Sequence, residues 1–357
     1  MIFFDVTKTG RAGHRSGLTR VSERLRGELG DAARPVSWTG WDRTELRPED
    51  WFLTAEIFGA EEWPGLGEFL RAKPCQLAAV FHDAIPLRHP RITWPRSVAR
   101  HPEYMKNLAQ FDRVWAVSAT SREDLLGYWR WLGVEAPPVD VVALGADFNG
   151  APRRTASDPS ALRSAPSESA TLIPHPSSLA RPSLLGIGIV EPRKNQGFLL
   201  DVCAELWREG LGFELHLVGR VNPHFGTPLV GKIKRLSHEF PGLHYHAAAS
   251  DAAVAALYEK TRATVFPTMA EGCGLPLLES LWMGVPCVCS DLPVLRENAK
   301  GGGCLGAPVG DLAAWKEALS RILTDDTLQA RLVQEATTRT LPTWAEAAQT
   351  LRAALTG

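Results

Sequence analysis

Short runs of bulky apolar residues alternate along this chain with longer segments whose apolar positions recur every three or four residues. In the first half the short runs fall at residues 2–4 (Ile-Phe-Phe), 77–81, 114–117 and 139–144, each the length of one buried strand. Residues 17–29 carry Leu18, Val21, Leu25 and Leu29 at helical spacing and predict a helix. Beyond residue 183 the alternation is clearer. Strands are predicted at 184–190, 213–218, 263–266 and 285–289, and helices at 198–209, 251–260, 275–283, 311–323 and 344–355. Strands followed by helices at this rhythm predict parallel, doubly wound α/β sheets.

The rhythm stops between the halves. Residues 150–182 are dense in Pro, Ser and Ala with few large apolar groups, a composition that cannot bury enough surface to fold alone. The predicted organisation is therefore a Rossmann-like domain at 1–150, a linker or insert at 151–182, a second Rossmann-like domain at 183–340 and a helical tail at 341–357. Two such domains facing each other make a cleft, and this architecture binds ligands at the C-terminal ends of its strands.

Composition narrows the function. The 357 residues hold 39 Lys plus Arg against 40 Asp plus Glu, so no polycationic surface exists and nucleic acid is not the expected partner. The six cysteines (75, 203, 273, 287, 289 and 304) lack metal-ligand spacing and read as small buried hydrophobes in a reducing compartment. Asp5 interrupts the apolar N-terminus, which does not read as a signal peptide, and no run approaches the roughly 18 apolar residues of a membrane span. The expected location is the cytoplasm, with peripheral contact at the inner face of a membrane as a further option.

The richest chemistry lies in residues 266–279, Phe-Pro-Thr-Met-Ala-Glu-Gly-Cys-Gly-Leu-Pro-Leu-Leu-Glu. A strand ends, a Gly-rich turn follows, and a helix begins with Pro276 in its first turn, where proline is favoured. Unpaired N–H groups at such a helix start attract a phosphate or a sugar hydroxyl, and Gly272 and Gly274 let a ligand approach the backbone. Glu271 and Glu279 bracket the turn; a plain structural turn is the competing reading. A second element, Glu191-Pro192-Arg193-Lys194-Asn195, places two cations after the first strand of the second half, where they could neutralise a leaving diphosphate. A third, His82-Asp83-Ala84-Ile85-Pro86-Leu87, ends an N-terminal strand; His82 either acts on a substrate or is simply a satisfied histidine, and Asp83 orients the loop.

These residues carry a family resemblance. The block E-G-C-G-L-P-L-L-E, followed by S-L-W-M-G-V-P-C-V-C-S-D-L-P-V-L-R-E, is similar to the donor-site block of family-4 retaining glycosyltransferases, closest to their mannosyltransferase-like bacterial members. The resemblance implies the GT-B fold: two Rossmann-like domains facing across a cleft, with a last helix packing back on the N-terminal domain. It implies that Glu271 contacts donor-sugar hydroxyls and has a catalytic role with His82. By the same resemblance Glu279 binds the nucleotide ribose, while Gly272, Cys273, Gly274 and Leu275 hold sugar and diphosphate beside Arg193 and Lys194. His14-Arg15-Ser16-Gly17-Leu18-Thr19-Arg20 resembles the family's glycine loop, with Gly17 near the donor phosphates or the acceptor. Ser118 and Ser121 match a Ser-x-x-Ser turn and read as helix caps. Many relatives carry an arginine directly after the strand glycine, whereas here Gly188 is followed by Ile189.

The implied activity is metal-independent, retaining transfer of a hexose, with a mannose lean, from a GDP-, UDP- or dTDP-linked donor to a saccharide, glycolipid or other glycan. The setting would be bacterial cell-surface polysaccharide synthesis. No cofactor and no metal is expected, and activity should survive chelation. The rival is a catalytically silent homologue that binds nucleotide as a partner subunit. A basic stretch, Arg88, His89, Arg91, Arg96, Arg100 and His101 around Trp94, reads either as a solvated Pro-rich loop or as a contact for an acceptor phosphate or an anionic membrane.

Overall fold

In the computed structural model, residues 1–11, 17–148, 150–156 and 181–356 are described. They form two compact units. The first comprises Met1–Gly145, Glu271–Leu275 and Pro342–Gly357; the second comprises Ala146–Ala270 and Pro276–Leu341. Most of the expected linker, residues 157–180, lies outside the described residues, as do His14, Arg15 and Ser16 of the N-terminal loop.

The first unit runs β1 (Ile2–Asp5), α1 (Gly17–Leu29), β2 (Ala33–Val36), β3 (Trp51–Thr54), α2 (Leu66–Ala72), β4 (Gln76–Phe81), α3 (Ile85–Arg88), α4 (Pro95–Leu108), β5 (Arg113–Ala116), α5 (Ala119–Leu132) and β6 (Val139–Val141). Its sheet is wholly parallel in the order β2-β1-β3-β4-β5-β6. One face packs on an aromatic core in which Trp63 stacks between Trp38 (4.5 Å between centroids) and Phe58 (3.9 Å). Such rings each bury a large apolar area, and their mutual geometry adds to that. The other face holds α1 and the final helix.

The second unit runs β7 (Ser183–Ile187), α6 (Gln196–Arg208), β8 (Glu214–Val218), α7 (Thr227–Glu239), β9 (Leu243–His246), α8 (Asp251–Lys260), β10 (Ala263–Phe266), α9 (Leu275–Trp282), β11 (Cys287–Ser290), α10 (Pro293–Ala299), β12 (Cys304–Ala307), α11 (Leu312–Thr324) and α12 (Asp326–Thr338). The last helix, α13 (Trp344–Thr356), belongs to the first unit, where Trp344, Ala347, Ala348, Leu351 and Leu355 join Val21, Leu25 and Leu29 of α1 in one apolar cluster. Gly145 makes room for it: a Cβ there would stand 2.3 Å from the Trp344 nitrogen.

The second sheet is also parallel, in the order β12-β11-β10-β7-β8-β9. The chain winds outward from β7 to β8 and β9, then returns to the other side of β7 to lay down β10, β11 and β12. The reversal between β7 and β10 is the topological switch point, where this architecture leaves a crevice at the strand C-termini. The α/β fold expected from the alternation is the fold observed. Four strands were not anticipated: β2, β3, β9 and β12. Ala-Arg-Pro-Val of β2 is an edge strand with two exposed residues, and β9 reads Leu-His-Tyr-His, only half apolar.

Candidate functional site

Both motifs of the second half sit at the switch point. Residues 191–195 follow β7, and residues 267–274 follow β10, the strand beside it. Residues 192–194 form a turn of 3-10 helix, and Asn195, in the left-handed conformation at φ 56°, turns the chain into α6. Arg193 ties the two loops together within the second unit. Its Nη1 donates to the Ala270 carbonyl at 3.0 Å, while its own carbonyl accepts from Met269 N at 2.8 Å and Thr268 Oγ1 at 3.1 Å. Its Nη2 also pairs with Glu191 Oε1 at 2.8 Å, and Asn222 Nδ2 donates to Glu191 Oε2 at 2.9 Å. A guanidinium suits this because its fixed fork serves several acceptors at once.

Lys194 stands differently. Its ammonium lies 4.9 Å from the centroid of Phe266, the last residue of β10, and its stem runs alongside Gly188. The two cations of this dipeptide thus have different structural roles.

At the second loop Gly274 takes φ 84°, a conformation glycine adopts without strain, and the chain then enters α9 with Pro276 as its second residue. Glu279 is one turn along α9 and only 3% exposed, while Glu271 is half-buried. A carboxylate that deep persists only with donors around it, which fixes its orientation.

Within the first unit, Gly272 meets the His82 segment. A Cβ on Gly272 would lie 2.4 Å from the His82 carbonyl oxygen and 3.0 Å from Asp83 Cβ. The Ser118 hydroxyl donates to the Gly272 carbonyl at 2.7 Å, and the Ser121 hydroxyl donates to the His82 carbonyl at 2.8 Å. Ser118 Oγ also accepts the Ser121 N–H at 3.0 Å, so it caps α5 as expected. The same serines therefore also hold the His82 and Gly272 turns side by side, a role the sequence did not disclose.

His82 is buried, and its Nε2–H donates to the Ala55 carbonyl at 2.7 Å. Burial, ahead of every other influence, holds its pKa below the ordinary imidazole value, so the ring is neutral near pH 7 and Nδ1 is its accepting nitrogen. Asp83 Oδ1 accepts the Ile85 N–H at 2.9 Å, and buried His101 bonds through Nε2 to the Asp83 carbonyl at 2.8 Å. Asp83 orients its turn from one side and His101 from the other. Gly17 opens α1, and among the described residues nothing lies within 4 Å of a Cβ placed there.

The basic stretch is not a Pro-rich loop. It is helical over α3 and α4, with Pro95 at the start of α4, where a missing N–H costs nothing. The acids absent from its own sequence come from elsewhere in the unit. Arg88 pairs with Asp124 at 2.8 Å, Arg96 with Glu61, and Arg100 with Glu62 at 2.8 Å. The charge that suggested an anion contact is largely answered internally. Arg91 is exposed, and Trp94 is 50% exposed.

Among the described residues no helix is long and apolar enough to cross a membrane. The cysteines form no disulfide among the described residues; four are buried, and Cys273 and Cys304 are half-buried.

Residues 181–325 match the family described as Glycosyl transferases group 1. Over 273 residues the chain is 31% identical to the serotype-specific mannosyltransferase WbdA of Escherichia coli, covering 73% of this chain and 32% of that protein. It is also 31% identical, over 150 residues, to the phosphatidyl-myo-inositol mannosyltransferase of Mycobacterium leprae (strain TN), covering 40% of this chain and 37% of that one. The chain thus spans about a third of the length of these curated relatives. Among solved structures, Anabaena HepE in complex with UDP superposes with a TM-score of 0.72 at 16% identity, covering 99% of this chain and 98% of that one. Sucrose-phosphate synthase from Thermosynechococcus elongatus superposes with a TM-score of 0.66 at 16% identity, covering 98% and 96%.

Proposed function

This GT-B chain belongs among the mannosyltransferase-like group 1 glycosyl transferases, and from that premise we propose that it transfers a hexose from a nucleotide-diphosphate sugar to a glycan, saccharide or glycolipid acceptor. The reading takes mannose as the sugar, retention as the stereochemical course, metal independence as the mode and bacterial cell-surface polysaccharide as the product. The relatives named as mannosyltransferases support the first of these. One observation carries the reading: the loops after β7 and β10 flank the switch point of the second sheet and are joined there by Arg193, which bonds to Ala270 and accepts from Met269.

In this reading the donor diphosphate lies against Lys194 and the N–H groups of the first turn of α9, which oppose the charge growing on the leaving group. Arg193 is the brace that keeps the two loops in register rather than the main phosphate ligand, because its donors already serve Ala270 and Glu191. Glu279 accepts the ribose hydroxyls, and Glu271 accepts hydroxyls of the sugar. The acceptor hydroxyl attacks the anomeric carbon on the face from which the diphosphate leaves, and the departing phosphate oxygen takes the acceptor proton. Protein groups contribute position and charge stabilisation. His82, neutral and fixed by Ala55, offers Nδ1 as an acceptor for a substrate hydroxyl.

The donor partner is thus a GDP-, UDP- or dTDP-sugar and the second partner a glycan or lipid-linked acceptor, met in the cytoplasm or at the inner membrane face. Arg91 and Trp94 are exposed and could meet such a surface, and Arg88 and Arg96 are exposed as well although each pairs with an acid. A thermal-shift series with GDP, UDP and dTDP in EDTA tests the nucleotide site. One diphosphate should raise Tm by a few degrees at 100 times its Kd, since ligand at that level adds about 2.7 kcal/mol. No shift with any of the three would remove the donor assignment, and a shift without turnover of any donor sugar would mark a silent nucleotide-binding homologue.

A further inference from the structure

The second unit carries a cluster of metal-ligating side chains outside the site described above. β8 reads Glu214-Leu-His216-Leu-Val and β9 reads Leu243-His244-Tyr-His246. Strand side chains alternate faces, so Leu215, Leu217 and Leu243 enter the core while Glu214, His216, His244 and His246 share the opposite face. Parallel pairing sets His216 beside His244 and Val218 beside His246 at the outer edge of the sheet. The His216 ring stacks on His244 at 4.6 Å between centroids and on His246 at 5.4 Å, each with an 18° tilt.

We propose that Glu214, His216 and His244 form a binding site for a zinc-class divalent cation that clips edge strand β9 to β8. Glu214 Oε2 lies 3.3 Å from His216 Nε2, and Oε1 lies 4.0 Å from His244 Nε2; one ligand atom from each of the three residues falls within 4.8 Å of the others. A tetrahedral zinc with Zn–N near 2.1 Å holds its ligand atoms roughly 3.4 Å apart, so the cluster needs closure of at most about 1.4 Å by half-buried side chains. The fourth position is open to water. His216 Nδ1 lies 3.1 Å from His246 Nε2. When Nδ1–H donates to that acceptor, the Nε2 lone pair of His216 is aimed at the Glu214 carboxylate, and a cation between them satisfies both. Imidazole with one carboxylate is a borderline-soft donor set that suits zinc better than magnesium or calcium.

Sequence spacing hides this site because E-x-H and H-x-H belong to separate elements that only sheet pairing unites. The site stands apart from the transfer chemistry: β9 is the far edge strand, and β7 and β8 separate it from β10.

The test uses untagged, metal-stripped protein titrated with Zn²⁺, and with Co²⁺ as a spectroscopic probe. One equivalent of zinc should bind with a Kd below about 10 µM and raise Tm by about 5 °C at 100 times Kd. His216→Asn and His244→Asn should each weaken binding at least tenfold, with circular dichroism unchanged in the absence of metal. His246→Asn should weaken it less. Binding weaker than millimolar, binding that survives the double variant, or a thiolate-to-cobalt charge-transfer band pointing to cysteine ligands would each overturn the proposal. Turnover of the donor sugar serves as a separate readout and should not change with zinc or chelator, so failure of the metal site and failure of the transferase reading are told apart.

Discussion

Asp5, at the end of β1, shows how far a single residue's environment departs from its sequence. It is wholly buried and accepts from Thr7 N at 3.0 Å and from Thr54 Oγ1 at 2.8 Å. Burial first, then nearby Glu56, raises its pKa from 3.8 to about 6 despite those hydrogen bonds. The folded state therefore holds this proton more tightly than the unfolded chain, so Asp5 contributes stability that is full below about pH 4 and lost as pH rises through about 6. Asp5→Asn should flatten that part of the stability curve in urea titrations between pH 4 and 7. A curve parallel to wild type would contradict the assignment. At the candidate site the same scale separates Arg193 from Lys194. Lys194→Ala should lower kcat by about 10²–10³, the loss expected when one group opposing developing charge is removed. Both variants should weaken nucleotide binding, Arg193→Ala the more because it frees one loop from the other; equal effects of the two on binding would show that the division of roles is wrong.

At the scale of elements, the reading from sequence succeeds where burial is one-sided or complete and fails where it is mixed. Helix α1 was legible at its full extent because Val21, Leu25 and Leu29 repeat at helical spacing, although Leu18, counted with them, turns out exposed. Strand β9 was not, because two of its four residues are histidines facing away from the core. Helices α3 and α4 were obscured by their prolines, Pro86 and Pro95 at or near the helix starts and Pro102 inside α4. The two loop motifs after β7 and β10 could be read as peptides, but their contact through Arg193 depends on strand order, which no local pattern reveals. The serines were recognised as caps, yet their hydroxyl bonds to the His82 and Gly272 carbonyls join residues far apart in the chain. This predicts a sharp response at Gly272. A methyl group there meets the His82 carbonyl at 2.4 Å, so Gly272→Ala must displace one turn. A displacement near 1 Å is enough to lower kcat about 10²-fold while nucleotide binding changes little. Unaltered kcat would show that this contact does not position the reacting groups.

In the whole molecule, a parallel sheet whose order reverses between β7 and β10 carries two loops braced at that reversal, and residues 181–325 match group 1 glycosyl transferases. The near balance of 39 basic and 40 acidic residues leaves recognition to this local site rather than to a global field. The proposed transfer requires the paired glutamates and the basic loop to act on a nucleotide-linked sugar. The most direct measurement is release of nucleoside diphosphate from a panel of GDP-, UDP- and dTDP-sugars by wild type, Glu271→Ala and Glu279→Gln, all in EDTA. Wild type should turn over at least one donor, and each variant should fall at least 100-fold while its melting temperature is retained. Turnover that persists at the wild-type rate in either variant would contradict the account.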